Sequence, residues 1–231
     1  MSFDPSSRAR LTPGSLARFD GASLFHKVAR VMCDLSVLPR KELYEAWEVA
    51  RRTRRHFRGG RVLDLACGHG LLGGLMLLLD ATSERAVCVD RALPKSAEKV
   101  RDALVREWPR LEGRIELVRG DVAGVDVHAG DVLVSAHACG ALTDVVLSQA
   151  IAARARVAVL PCCHDVSLSD GGGLGGWLDA ALAIDVTRAA RLRQEGYDVR
   201  SQLIPAEITP KNRLLLGEPR AGEWSARSPR V

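Results

Sequence analysis

Two groups of residues in this chain could take part in chemistry. The first lies in "LDLACGHGLLG" (63–73). There Asp64 closes an apolar run, and Gly68 and Gly70 lead into a second one. That is the pattern of a strand ending in a glycine turn that opens a helix. Glycines at such a turn let backbone approach a ligand with no Cβ in the way. Asp90, 26 residues after Asp64, ends the strand-like run "RAVCVD", where a carboxylate can accept both hydroxyls of a ribose. Spacing alone leaves NAD, FAD and S-adenosylmethionine (SAM) open, because Gly73 supplies the third glycine of a dinucleotide fingerprint. Charge separates them. A carboxylate immediately before the turn repels a pyrophosphate and attracts a sulfonium ligand with a free amino group, so the reading favours SAM.

The second group is His137 and Cys139 in "SAHACGALTD" (135–144), with Cys162, Cys163 and His164 in "LPCCHD" (160–165). Three chemistries fit it. A histidine can take a proton from a hydroxyl or amine as a methyl group moves. A cysteine can attack a pyrimidine. Cysteine and histidine together can hold zinc. The pyrimidine-methylating enzymes that use a cysteine carry Asp-x-Pro-Cys after strand four, which "SAHACG" does not match. The Cys139…Cys162 and Cys163-His164 spacings are unlike a zinc finger's, and no metal is expected. A purely structural role, shaping a tight turn, is the fourth reading.

Periodicity supplies the framework around these groups. Residues 1–22 are rich in Ser, Pro, Gly and Arg and predict a loose arm. A short helix is expected over 23–38. A longer one over 40–57 has Leu43, Trp47, Ala50, Arg54 and Phe57 recurring on one face, and Arg51, Arg52 and Arg55 facing water. Strand-like runs then alternate with helical runs: strands at 61–66, 85–90, 114–121, 131–136, 156–161, 197–205 and 213–217, and helices at 71–80, 94–111, 143–155 and about 177–195. Continuous apolar strands between helices mean a parallel, doubly wound α/β sheet, with ligands at the carboxyl ends of the strands. Trp177 and Tyr197 are expected in the core. "DGGGLGG" (170–176) predicts a flexible linker.

Composition narrows the class. The chain has 231 residues, 47% of them hydrophobic, enough for one full core. No apolar run approaches the ~20 residues of a membrane span. The N-terminus lacks a signal-peptide core, so a cytoplasmic protein without membrane contact is expected. The six cysteines do not form a disulfide framework. Residues 1–60 hold 12 Lys and Arg against 6 Asp and Glu, concentrated in "RRTRRHFR" (51–58). That basic N-terminal helix is a candidate contact for RNA phosphates.

Taken together, "VLDLACGHG", Asp90 in "VCVD" and Asp121 in "RGDV" resemble the motifs of class I SAM-dependent methyltransferases, over about residues 43–217. The resemblance implies a Rossmann-like α/β fold. Its seven-stranded sheet has the order 3-2-1-4-5-7-6, strand seven antiparallel and helices on both faces. It also implies a division into an N-terminal helical extension (1–39), a methyltransferase domain (40–218) and a tail (219–231). The cofactor contacts it implies are Asp64, Ala66, Gly68, Gly70, Asp90, Arg91, Asp121, Val122 and His137. "HACG…TD", "PCCH" and "TPKNRLLLG" are further similar to a subgroup that includes the tRNA acceptor-stem 2′-O-methyltransferases, although this chain lacks their zinc-finger cysteines. That likeness implies catalysis at His137, His164, Cys162 and Cys163. It implies substrate contacts at Cys139, Thr143, Asp144, Lys211, Asn212 and Arg213, with Gly140 and Pro161 shaping the same edge. The expected activity is methyl transfer from SAM, with RNA the favoured acceptor. The alternatives are a small-molecule or protein acceptor, or a SAM-fold binding module without turnover.

Overall fold

The computed structural model describes residues 4–221. Two helices, α1 (Leu24–Leu35) and α2 (Arg40–Thr53), precede an alternating series. It runs β1 (Val62–Leu65), α3 (Leu71–Leu79), β2 (Ala86–Asp90), α4 (Ser96–Glu107), β3 (Ile115–Arg119), β4 (Val132–Ser135), α5 (Leu142–Ala153), β5 (Arg156–Val159), α6 (Ala180–Gln194), β6 (Tyr197–Leu203) and β7 (Arg213–Pro219). The sheet order is β3-β2-β1-β4-β5-β7-β6. β1 to β5 pair in parallel, and β7 runs antiparallel to both β5 and β6. This is the topology the resemblance implies.

Burial explains the strands. All four residues of β1 and of β4 are buried, as expected of central parallel strands covered on both faces. β6 is an edge strand and carries Asp198, Arg200 and Gln202, polar residues that suit an edge. Between sheet and α2 lies α3, whose first eight residues are all buried, so its apolar character all round is what the position demands. Gly73 makes the fit possible: a Cβ there would lie 2.5 Å from Cys88 Sγ on β2. The third glycine of the apparent dinucleotide spacing thus serves helix–strand packing.

Three expectations are corrected. Residues 4–22 are not a loose arm. Leu11 and Phe19 are fully buried in the same apolar cluster as Val28 and Met32 of α1 and Leu75 of α3. The Leu11 N–H donates to the Leu38 carbonyl at 2.9 Å. Two large apolar side chains have enough area to dock a polar segment, so residues up to 39 share the core of the sheet domain. Trp177 is 86% exposed rather than buried, whereas Tyr197 is in the core with its hydroxyl donating to the Ala150 carbonyl. Arg54 lies inside the protein despite its charge. Most of the tail expected from 219 onward falls outside the described residues. Among the described residues, no helix is long and apolar enough to cross a membrane.

Candidate functional site

The first cluster forms at the carboxyl end of β1. Asp64 is buried and accepts one hydrogen bond, from the Gly73 N–H at 2.9 Å. Burial pushes its carboxyl up to about 8; the Gly73 N–H opposes this, and the charges of Glu42 and Asp90 add to it. The chain then turns left-handed at Ala66 (φ 57°), Gly68 (φ 53°) and Gly70 (φ 71°), the last preceding α3. Ala66 is the non-glycine residue in that turn held where a Cβ is disfavoured. At the end of β2, Asp90 accepts the Gly68 N–H at 2.9 Å on one oxygen and the Ala92 N–H at 2.8 Å on the other. Each oxygen keeps a second lone pair.

A residue invisible to motif reasoning closes this cluster. Glu42, near the start of α2, lies 2.8 Å from His69 Nδ1 inside the glycine turn. Only the packing of α2 against α3 brings it there, so no local sequence signal marks it.

Further along the sheet, Asp121 caps the 3-10 turn Val122–Gly124, accepting the Ala123 N–H at 3.0 Å, and pairs with Arg91. The Ala123 N–H and the Arg91 guanidinium hold its carboxyl below the usual range. The Arg91 side chain is 80% exposed, and Val122 is buried. Asp121 and Arg91 therefore stand together at the rim.

The second cluster forms where β4 and β5, adjacent and parallel, release their chains. His137 is two residues beyond β4, partly exposed, with no side-chain hydrogen bond among the described residues. The sulfurs of Cys139 and Cys162 are 3.0 Å apart, and those of Cys139, Cys162 and Cys163 all lie within 4.8 Å of one another. The Gly140 N–H donates to the Cys163 carbonyl at 3.2 Å, tying the two loops together. Burial raises the Cys162 thiol, and neighbouring Cys139 raises it further, which disfavours a free thiolate nucleophile. Spacing along the chain gave no sign of a metal-ligand set. In space the three sulfurs converge, because the strands bearing them are neighbours.

Several expected site residues are bonded within the protein. Thr143 is fully buried and its hydroxyl donates to the Ala138 carbonyl at 2.6 Å. Asp144 takes two hydrogen bonds from Arg188, through Nε and Nη2, each 2.8 Å. Arg188, on α6, has a side chain only 2% exposed and also reaches the Gly140 carbonyl at 3.1 Å. A buried guanidinium requires such partners. Asp185 lies 2.7 Å from His164 Nε2 and accepts from Arg213 Nε at 2.6 Å. The His164 side chain is 4% exposed, with Nδ1 buried and unpartnered. Asn212 donates its amide to the Ile204 carbonyl at 2.9 Å. Asp144, Arg188, Asp185, His164 and Arg213 thus form one network, Thr143 and Asn212 each bond a backbone carbonyl, and Lys211 is exposed.

The arginine run is divided. Arg54 is 2% exposed and bonds the Met76 and Phe57 carbonyls, Ser83 Oγ and Asp80. Burial lowers its guanidinium to about 10, although Asp80 opposes this. Arg51 and Arg52 both pair with Glu48. Arg55 and Arg58 are exposed.

The comparisons bear on the fold and the family. The chain resembles, at 14% identity and TM-score 0.51, the magnesium protoporphyrin IX methyltransferase of Synechocystis PCC 6803 with bound SAH, covering 90% of this chain and 94% of that one. The SAM-dependent methyltransferase SibL in its apo form matches at 20% identity and TM-score 0.50, over 91% of this chain and 66% of its own. The precorrin-6y C5,15-methyltransferase of Geobacter metallireducens GS-15 matches at 12% identity and TM-score 0.50, over 75% and 87%. At these identities the likeness concerns the fold. No curated protein matches the chain in sequence. The family model for a methyltransferase domain matches residues 41–169, more than half of the chain, from the residue before Glu42 through both loops of the sulfur cluster, and the protein belongs to that methyltransferase family.

Proposed function

We propose that this protein is a SAM-dependent methyltransferase whose acceptor approaches the loops after β4 and β5. The observation that carries this is Asp64. It is a buried carboxylate with one N–H partner beside a glycine turn, and its environment lacks the positive charge that would let it ionise. A ligand bearing an ammonium and a sulfonium supplies that charge; a pyrophosphate opposes it. Asp90, with a free lone pair on each oxygen, fits a ribose diol. Gly68 leaves the turn open, since a Cβ there would meet nothing closer than Glu42 Oε1 at 3.8 Å. The residues present therefore fit SAM.

When bound, SAM supplies an electrophilic methyl group whose departure leaves a neutral thioether. The chain's own residues do the rest. Asp64 holds the amino-acid end, Asp90 the ribose, and Asp121 with Arg91 the rim toward the base. On the acceptor side His137 is the imidazole placed to take a proton, because it is partly exposed, whereas the His164 side chain is only 4% exposed. An RNA acceptor is favoured by the charge of residues 1–60, and within the run 51–58 the exposed arginines that could meet phosphates are Arg55 and Arg58. Calorimetry with SAM and with its demethylated product tests the reading. Each is expected to bind, with NAD binding far more weakly. No heat with either, or NAD binding equally well, overturns it.

A further inference from the structure

We propose that Cys139, Cys162 and Cys163 form a binding site for one thiophilic divalent cation, Zn²⁺ foremost, with three sulfur ligands and one open position. Tetrahedral Zn²⁺ with Zn–S bonds of about 2.3 Å sets its sulfurs roughly 3.8 Å apart. The three sulfurs here lie within 4.8 Å of one another, with the closest pair at 3.0 Å, so each needs to move by less than the freedom of one side-chain torsion. After that adjustment they would form one face of a tetrahedron around the ion.

The backbone holding them is already organised. The loop of Cys139 is fixed on one side by the Ala138 N–H donating to Ser135 Oγ at 3.1 Å, and by Thr143 Oγ1 donating to the Ala138 carbonyl. On the other side Arg188 reaches the Gly140 carbonyl, and the Gly140 N–H joins that loop to Cys163. Cys139 and Cys163 are exposed, so an ion can enter and its fourth position opens toward solvent at the carboxyl edge of the sheet. Binding releases the three thiol protons, and the sulfur lone pairs form the bonds; no oxidant or reductant takes part. A water or an acceptor hydroxyl, thiol or nitrogen on the fourth position would be acidified in the same loop that carries His137.

The site stands whether or not the protein transfers methyl groups, and its test reads metal directly. The full chain, grown with zinc and purified under a phosphine reductant without chelator, is assayed for metal by mass spectrometry. It is then stripped and titrated with Co²⁺. One equivalent of zinc is expected, and one Co²⁺ with a sulfur-to-metal charge-transfer band and the visible bands of a four-coordinate ion, displaced by Zn²⁺. Cys139→Ser and Cys163→Ser are each expected to weaken Co²⁺ binding roughly 100-fold, whereas Cys33→Ala, in α1, keeps full stoichiometry. Circular dichroism confirms that each variant is folded. Zinc well below one equivalent with no charge-transfer band, or Co²⁺ affinity unchanged in both serine variants, overturns the proposal. So does a reduced protein that reforms a Cys139–Cys162 disulfide on removal of reductant yet takes up no Co²⁺ while reduced.

Discussion

Replacing Asp64 by asparagine separates what this residue does for the fold from what it does for a ligand. In the folded chain burial raises the carboxyl to about 8, against 3.8 for an unhindered aspartate. The folded form therefore keeps its proton where the unfolded chain loses it. Stability contributed by the neutral carboxyl is fully present below pH 4 and is lost as pH rises through about 8. Each pH unit in that window is worth about 1.36 kcal/mol, so Asp64 alone makes the protein on the order of 4 kcal/mol less stable at pH 7 than at pH 4. Asparagine has the same shape, keeps an oxygen for the Gly73 N–H and does not titrate. The Asp64→Asn protein is expected to be progressively more stable than the parent as pH rises from 4 to 8. At pH 7 its melting temperature should be higher by about 10 °C.

The ligand side has the opposite sign. An ionised Asp64 is what an ammonium needs, so SAM affinity should rise with pH toward about 8. Above that it should fall, as the ligand's own amino group, near ~8, loses its charge. In the asparagine variant this profile should flatten and the affinity collapse while stability improves. The assay is thermal melting and calorimetry of both proteins across pH 5–9. Parallel stability profiles for parent and variant would refute the assignment of a strained, charge-seeking carboxyl at position 64.

The same geometry sets other expected outcomes. His137→Ala should lower turnover about 10²–10⁴-fold with SAM affinity kept; His164→Ala should act chiefly on stability, seen in melting, because its imidazole is bound to Asp185. Equal turnover losses in two equally stable variants would reverse those roles. Ala66→Gly removes a Cβ from a left-handed residue and should stabilise the protein by about 1 kcal/mol in urea titrations. Changing Arg55 and Arg58 together to Ala should make the salt dependence of RNA binding shallower, by up to ~0.7–0.9 per lost contact, more than the Glu48-paired Arg51 and Arg52 do; a filter-binding series over salt measures it.

The sheet was legible because its signals are local. Alternating apolar runs and helices name a parallel α/β fold, and the glycine turn with Asp64 and Asp90 singles out its candidate ligand edge without knowledge of packing. What was not legible depended on which distant segments meet. Arg54 shared the apolar face of its helix with Leu43, Trp47 and Phe57, a sign of burial that its charge obscured; only Asp80 and Ser83 in space make that burial tolerable. Leu11 and Phe19 looked like isolated apolar residues in a polar arm until α1 and α3 gave them a surface. Trp177 misled in the other direction, since an aromatic next to a helix start carries no mark of the face it takes.

The loops after β4 and β5 show why polar residues of a motif can be needed for structure alone. In the loops after β4 and β5 the conspicuous groups divide by depth. The deeper set, Thr143, Asp144, Asp185, Arg188 and His164, is bonded within the protein, with His164 Nδ1 its one buried side-chain atom lacking a partner among the described residues. Arg188 is charged and almost wholly inside, so removing Asp144, which takes two of its hydrogen bonds, would leave that charge only the longer contact to Asp185, a loss of up to about 3–5 kcal/mol. Such a network tolerates little substitution for structural reasons alone, and its residues would stand out in a motif whether or not they touch substrate. The shallower set, His137, Cys139 and Cys163, has no comparable internal demand: its histidine has no side-chain partner among the described residues, and its sulfurs face one another and solvent. Groups with unspent bonding capacity, held on a rigid frame at the carboxyl edge of the sheet, are where the chemistry is to be sought.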